Sequence, residues 1–104
     1  GELVDKMSQN WPHIQTCLIV QGLLMQVYGV DRVPSQSSVA LDERNRPEPD
    51  VAVLRRSARE FTNLPGPEDI LLLVEVSNTT QRFDINVKAV VYARARIPEY
   101  WVID

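Results

Sequence analysis

The chain is poor in the residues that build disulfides and metal clusters. Its 104 residues include one cysteine, Cys17, and one histidine, His13. One cysteine cannot form a disulfide within the chain, which is typical of a protein kept in a reducing cytoplasm. A zinc site built from several Cys and His side chains is disfavoured for the same reason. We therefore expect a cytoplasmic protein in which Cys17 is a small buried residue rather than a reactive thiol.

Long apolar runs are also missing. No stretch reaches the ~20 residues needed to span a bilayer, and no signal peptide is visible, so we expect no membrane partner. The formal net charge of −3 argues against a polycation that coats nucleic acid. The hydrophobic fraction of 44% is that of a globular protein. We expect one domain over residues 1–104, truncated at both ends, because the chain begins without methionine and stops inside a predicted strand.

Hydrophobic periodicity predicts an α/β fold. Apolar residues at three- and four-residue steps predict a helix over 13–28, with Gly29 as its C-terminal cap. A second helix is predicted over 81–97, ended by Pro98. The predicted strands are 1–7, 37–41, 50–56, 70–77 and 99–104. This order gives a mixed sheet with helices packed on it, and its last strand–helix–strand unit is expected to be a right-handed crossover.

Two carboxylates occupy the ends of consecutive predicted strands. Asp50 stands at the start of one strand, and Glu75 lies near the end of the next. Consecutive strands joined without a long helix are expected to pair antiparallel, which brings Asp50 close to Glu75. Two neighbouring carboxylates repel unless a cation lies between them. Oxygen ligands suit Mg²⁺ or Mn²⁺, and the carbonyl of Val76 is a natural further ligand.

The predicted second helix adds a cation to this pair. Four polar or amphipathic residues recur at four-residue steps along one of its sides: Asp84, Lys88, Tyr92 and Arg96. Lys88 can pair with Asp84 or point at a bound phosphate. A metal held by Asp50 and Glu75 would polarise a phosphodiester and activate water, and Lys88 would stabilise the developing charge. The pattern thus suits phosphodiester hydrolysis.

Other residues carry a simpler interpretation. Tyr92 is interpreted as a packing residue rather than a chemical one, and Asp84 as an orienting residue at the start of the helix. The lone His13 has two interpretations: a residue that acts at the site, since it lies near the start of the first long helix, or a cap or packed ring, which is the commoner role of a single histidine. Six arginines are read equally as contacts to DNA phosphates or as a solvated surface: Arg55, Arg56, Arg59, Arg82, Arg94 and Arg96.

Several segments together resemble a known family. "PEPDVAVLR", "PEDILLLVEVSNTT", "DINVKAVVYARARIPEYWVID" and the early "GELV" with a following histidine resemble the Uma-two family of endonucleases, over nearly the whole chain. The resemblance implies the PD-(D/E)XK nuclease fold, a restriction-endonuclease-like α/β domain whose core order is α-β-β-β-α-β. It implies a Mg²⁺-dependent, DNA-cleaving site that uses Asp50, Glu75 and Lys88. Ser77 stands where the superfamily usually has its lysine, two residues after the acidic residue, and the family resemblance implies that Lys88 on the following helix takes its place. Glu2 is a candidate for an additional carboxylate.

Two functions from different classes stay open. The first is a metal-dependent DNA endonuclease with Asp50, Glu75 and Lys88 in its site. The second is a catalytically inactive module of the same fold that binds nucleic acid or a protein, which would explain the acidic net charge and Ser77. A homodimer is a hypothesis under both, because cutting both strands of a duplex needs two sites.

Overall fold

The computed structural model describes residues 2–35, 37–77 and 82–104. Two α-helices flank one sheet: helix α1 (Glu2–Tyr28), strand β1 (Val51–Leu54), strand β2 (Ile70–Val76), helix α2 (Arg82–Arg94) and strand β3 (Glu99–Ile103). Strand β2 is central, antiparallel to β1 and parallel to β3. The α/β class and the mixed sheet are therefore confirmed. Neither helix combines the length and the hydrophobicity that a bilayer crossing requires.

Both faces of the sheet are covered, and this explains the unbroken apolar character of β2. One face packs with α1 through a cluster of buried side chains: Leu24, Val33, Val51, Val53, Leu72 and Val74. The other face packs with α2 through a second cluster: Val39, Leu41, Ala52, Leu54, Ile70, Leu73 and Tyr92. Residues on opposite faces alternate along each strand. A strand buried on both sides needs apolar residues at nearly every position.

A β-bulge interrupts this alternation at the start of β2. Val53 pairs with Leu72, whereas Leu54 pairs with Ile70, so one residue of β2 is extra. The extra residue is Leu71, which packs on the α1 side together with Leu72. Strict alternation would place Leu71 on the face of Glu75 and Leu73, but the bulge shifts the side-chain phase by one residue.

The predicted strand over 1–7 is wrong, because residues from Glu2 onward are helical. Helix α1 runs without a break through the predicted turn and contains Pro12. Leu3 and Met7 are four residues apart, a spacing that suits a helix as well as their weak alternation suits a strand. A proline inside a helix removes one backbone hydrogen bond and costs roughly 3 kcal/mol. The helix predicted over 13–28 therefore has the correct end but begins eleven residues too late.

The predicted strand over 37–41 is wrong as well. Val39 donates its N–H to the carbonyl of Pro47, and Leu41 donates to Asn45, as in the start of a hairpin. The returning bonds do not form, because Pro47 has no N–H and the N–H of Asn45 binds the side chain of Asp42. A single bridge between Ser35 and Val51 is the strand-like pairing that remains here. The described core is therefore α-β-β-α-β, one strand short of the order that the resemblance implies.

Helix α2 ends three residues before its predicted end. Arg96 has φ 61°, and its N–H binds the carbonyl of Ala93, while the N–H of Ile97 binds Tyr92. This pair of bonds is a Schellman motif, in which one residue turns left-handed to satisfy the last carbonyls of a helix. The motif, rather than Pro98, stops the helix, and Arg96 stands where a glycine is usual.

The end of α1 supports a stability prediction at two glycines. Gly29 has φ 96°, which side chains rarely adopt, whereas Gly22 lies inside the helix with φ in the ordinary range; neither has a neighbour that a new Cβ would meet. We expect Gly29→Ala to lower the free energy of unfolding by about 1–3 kcal/mol. The matched Gly22→Ala should raise it by about 0.5–1 kcal/mol. Urea unfolding measures both, and a stabilising Gly29→Ala would contradict the explanation.

Candidate active site

The start of β1 and the end of β2 meet at one edge of the sheet. Val51 pairs with Val74 in the antiparallel register, so Asp50 lies beside the position of Glu75. The carboxylate of Asp50 reaches across this edge, where its Oδ2 accepts a hydrogen bond from the N–H of Val76 at 2.7 Å. The antiparallel pairing expected from the sequence is confirmed, and it brings Asp50 and Glu75 together.

His13 contributes to the site from α1. Its Nε2 lies 3.1 Å from Oδ1 of Asp50, and both side chains are partly buried. The two oxygens of Asp50 therefore have different partners, one on α1 and one on β2. His13 is therefore not a cap: it lies well inside the helix and contacts the candidate metal ligand Asp50. Nothing local in the sequence signals this contact, since 37 residues separate the pair.

Glu75 is a buried carboxylate with two partners on α2. It is 3% exposed. Its Oε2 lies 3.1 Å from Nζ of Lys88 and accepts a hydrogen bond of 2.9 Å from the hydroxyl of Tyr92. Burial raises the pKa of Glu75 above its ordinary value; Lys88 and Tyr92 oppose that shift, and the nearby charge of Asp50 adds to it. The carboxylate is thus held in place by a cation and a hydroxyl one helical turn apart.

Lys88 pairs with Glu75 across the gap between helix and sheet. Its side chain is 35% exposed, so the ammonium group contacts the buried carboxylate and can still reach solvent. The alternative pairing with Asp84 concerns a side chain outside the described residues, as does the candidate role of Glu2. Arg96, the last residue of the predicted series, lies beyond the end of α2, so the four-residue spacing does not continue to it.

Tyr92 packs in the core and also contacts the site. It is 1% exposed and belongs to the α2-side cluster, as its interpretation as a packing residue predicts. Its hydroxyl nevertheless binds Glu75, and burial next to that carboxylate raises the pKa of Tyr92 well above its ordinary value. The hydroxyl is therefore a fixed donor at neutral pH. The signal that could have revealed this role is its position, one helical turn after Lys88.

A second tyrosine closes the site from β3. The ring of Tyr100 meets the ring of Tyr92 edge to face, with centroids 4.9 Å apart. Its hydroxyl is buried and has no hydrogen-bond partner within the part of the chain that the structure describes. Burial, together with the charges of Glu75 and Asp50, raises the pKa of Tyr100 to about 12. A neutral donor with no partner therefore lies within the field of both carboxylates.

Ser77 takes no part in this cluster. Its hydroxyl donates to Oδ1 of Asp104 at 2.9 Å, and its N–H donates to the carbonyl of Ile103. The residue that stands in the superfamily's lysine position therefore links the ends of β2 and β3. The cationic group of the site comes from α2 instead.

Cys17 lies one helical turn after His13, on the side of α1 that faces the sheet. It is buried and free, as predicted. Burial and, to a smaller extent, the charges of Asp50 and Glu75 raise the pKa of its thiol to about 11. The metal-free thiol is therefore protonated and unreactive at neutral pH. Ligand atoms of His13, Cys17 and Asp50 all lie within 4.8 Å of one another.

The donor set suits a hard divalent cation. Asp50 and Glu75 offer carboxylate oxygens on adjacent strands, and such oxygens are preferred by Mg²⁺ and Mn²⁺. The unpartnered hydroxyl of Tyr100 would find an acceptor in a water of the ion's hydration shell. Val76 contacts the site through its N–H, so its carbonyl as a ligand stays a prediction.

Two of the arginines after β1 lie close to acidic side chains. Arg56 lies 3.9 Å from Asp69 and stacks on the ring of Phe61 at 4.2 Å. Arg59 lies 3.4 Å from Asp31. These pairs are exposed and weak, so phosphate groups could compete for them. The structure favours neither of the two interpretations given to the arginines.

Comparison with known proteins gives one match. A family model, Uma2, described as "Putative restriction endonuclease", matches residues 1–104, which is the whole chain. No curated protein matches the chain, and no solved structure matches it.

The contact between Lys88 and Glu75 leads to a prediction about pH. Because burial raises the folded-state pKa of Glu75 above its unfolded value, the folded state binds more protons between the two values, and stability falls as pH rises through that window. Removing the ammonium group raises this pKa further and widens the window. We expect Lys88→Met to lower the free energy of unfolding by about 1–2 kcal/mol near neutral pH. This value allows for the partial exposure of Lys88, which weakens the ion pair. Below the ordinary glutamate pKa of about 4.3, the same variant should lose little stability, because Glu75 is protonated in both the folded and the unfolded state.

Urea unfolding at the two pH values measures this difference. The double variant Lys88→Met/Glu75→Gln is the control, because it leaves no buried charge and should recover most of the lost stability. An equal loss of stability at both pH values would show that Lys88 stabilises the fold through the packing of its side chain rather than through its charge.

Proposed function

The chain belongs to the Uma2 family of putative restriction endonucleases, and on that premise we propose that it is a metal-dependent endonuclease that hydrolyses phosphodiester bonds in DNA. One observation carries the proposal. A buried carboxylate, Glu75, is held by Lys88 and Tyr92 next to a second carboxylate, Asp50, at the same sheet edge. Carboxylates whose pKa is shifted by burial and by a specific charged partner cluster at functional sites.

Asp50 and Glu75 are the proposed ligands of Mg²⁺ or Mn²⁺, with the carbonyl of Val76 as a third. When bound, such a cation supplies Lewis acidity and a water that loses its proton more readily. His13 orients one oxygen of Asp50, and the N–H of Val76 fixes the other. Tyr92 holds one oxygen of Glu75. These contacts limit the rotation of both carboxylates.

Lys88 is the proposed electrostatic catalyst. Its ammonium group lies next to Glu75 and is partly open to solvent, so it can donate to a phosphate oxygen without leaving the site. Extra negative charge develops on phosphate oxygens in the transition state, and a preorganised donor there is typically worth 10²–10³ in rate. The pair with Glu75 keeps the ammonium group in place before substrate arrives.

The second candidate is a module of the same fold that binds nucleic acid or protein without cleaving. The observation that favours it is Ser77, which stands in the superfamily's lysine position and is engaged with Asp104. The two candidates share Asp50 and Glu75 but differ over Lys88, which would then be a structural partner of Glu75.

Cleavage of supercoiled plasmid DNA tests the nuclease directly. With Mg²⁺ or Mn²⁺, we expect nicking or linearisation by the wild type. The variants Asp50→Asn, Glu75→Gln and Lys88→Met should each slow cleavage by about 10²-fold or more. The matched control is Glu43→Gln, which removes one exposed carboxylate away from the site and should cleave at the wild-type rate.

Calorimetric titration with Mn²⁺ separates the two candidates. If the protein is a nuclease, Mn²⁺ should bind to the wild type, and the binding should be lost in both Asp50→Asn and Glu75→Gln. A folded protein that neither cleaves nor binds Mn²⁺ would favour the binding module. Cleavage that survives Asp50→Asn would contradict the assigned site.

A homodimer is the proposed assembly, because cutting both strands of a duplex needs two sites. Helix α1 supports it: Ile19, Leu23 and Val27 are four residues apart and each is more than half exposed, and exposed apolar patches mark interaction surfaces. Light scattering should give a dimer for the wild type and a monomer for Leu23→Glu. Gln26→Glu adds the same charge at a neighbouring exposed position and should stay dimeric. A monomeric wild type would leave nicking or binding as the function.

A further inference from the structure

Three different metal-ligating side chains meet beside the proposed magnesium site. His13 and Cys17 are four residues apart on α1, so they lie on one side of the helix, one turn from each other. Asp50 approaches from the start of β1, with Oδ1 3.1 Å from Nε2 of His13. A nitrogen, a sulfur and an oxygen are thereby gathered within 4.8 Å of one another. Glu75 is not a member of this group.

The thiol of Cys17 is a buried polar group without a partner. The side chain is 8% exposed, and within the described residues its sulfur makes no hydrogen bond. A thiol is a weak donor that is often buried without a hydrogen bond, so this absence does not by itself indicate an ion, but it leaves the sulfur available as a ligand. Cys17 adjoins the pair formed by His13 and Asp50, so the missing partner of the thiol and the two other ligands point to the same place.

We propose that His13, Cys17 and Asp50 form a second cation site, specific for Zn²⁺ or a chemically similar thiophilic divalent ion. Imidazole and thiolate ligands suit zinc, whereas Mg²⁺ prefers oxygen. Three protein ligands leave the fourth tetrahedral position to water, as in exchangeable zinc sites. On binding, the thiol releases one proton to solvent and its sulfur forms the bond to the ion, while neutral His13 donates its lone pair.

The distances are compatible with such a site after a small contraction. Zinc bonds of roughly 2.0–2.3 Å to nitrogen, oxygen and sulfur in a tetrahedron require ligand atoms about 3.3–3.6 Å apart. The contact between His13 and Asp50, at 3.1 Å, is slightly shorter than this. The remaining separations are at most 4.8 Å, so each needs to shorten by no more than about 1.5 Å.

Asp50 belongs to both sites, and this has a consequence for regulation. An ion held by His13 and Cys17 takes an oxygen that the proposed Mg²⁺ or Mn²⁺ ligand set also uses. Zinc at low concentration should therefore weaken the binding of Mn²⁺ to the wild type. This competition rests on the proposed function, whereas binding at the three-residue site does not.

Titration with Co²⁺, followed by absorption, tests the site. The chain has one cysteine, so a sulfur-to-cobalt charge-transfer band can arise from Cys17 alone. We expect the wild type to show this band together with the intense visible bands of tetrahedral cobalt, and Zn²⁺ but not Mg²⁺ to bleach them. His13→Gln should weaken binding by about tenfold or more, and Cys17→Ser should abolish the charge-transfer band. Circular dichroism verifies that each variant is folded.

Glu75→Gln is the matched control, because Glu75 lies outside the three-residue group. It should keep the cobalt spectrum while losing Mn²⁺ in calorimetry, which separates failure of this site from failure of the proposed nuclease. The absence of a charge-transfer band in the wild type at saturating Co²⁺ would overturn the proposal. A band that His13→Gln leaves unchanged would overturn it too, even where Cys17→Ser does not fold.

Discussion

The buried carboxylate of Glu75 is the constraint on which the rest of the site depends. A charge on the central strand of a sheet that is covered on both faces loses its hydration, and the cost of that loss is large unless partners replace the water. Here the partners are Lys88 and Tyr92, both from α2. Helix α2 must therefore pack on β2 with the side that carries Lys88 and Tyr92 facing Glu75. A change of one residue in the helix sequence would turn both side chains away from Glu75.

The same constraint ties core packing to chemistry through Tyr92. Its ring fills the cluster between α2 and the sheet, and its hydroxyl binds Glu75. A core residue that also positions a carboxylate makes the site as rigid as the core. Lys88, which is partly exposed, is the member of the pair that can respond to a substrate. One helical turn thus provides a fixed contact and an adjustable one.

Asp50 is supported differently, by α1 and by the backbone of β2. His13 and the N–H of Val76 each occupy one of its oxygens. The two helices therefore reach this sheet edge from opposite faces. Helix α1 contacts Asp50, and α2 contacts Glu75. Under the proposed function and the proposed zinc site, this division gives two ligand environments side by side, one of oxygens around Glu75 and one of nitrogen and sulfur around His13 and Cys17. Asp50 is the residue common to both, so the chemistry of either environment depends on its orientation.

The sequence by itself determined the features that rest on local pattern. Strands β1, β2 and β3, helix α2, the cap at Gly29 and the α/β class followed from periodicity and turn residues, and the family followed from short motifs. Asp50, Glu75 and Lys88 were identified as candidates, and the proximity of Asp50 to Glu75 was inferred from antiparallel pairing. The strand predicted over 37–41 failed because its pairing depends on whether Pro47 and Asn45 can return hydrogen bonds. The strand predicted over 1–7 failed because the apolar pattern of seven residues is compatible with both the helical period of 3.6 and the strand period of 2.

Only the tertiary structure decided which distant side chains meet. The contact between His13 and Asp50 joins residues 37 positions apart, and the one between Glu75 and Tyr92 joins residues 17 apart. No local pattern encodes such pairs, because they depend on how a helix rotates about its axis as it packs on the sheet. The packing of both apolar faces fixes that rotation, so the polar contacts of this site are a consequence of how the core is filled.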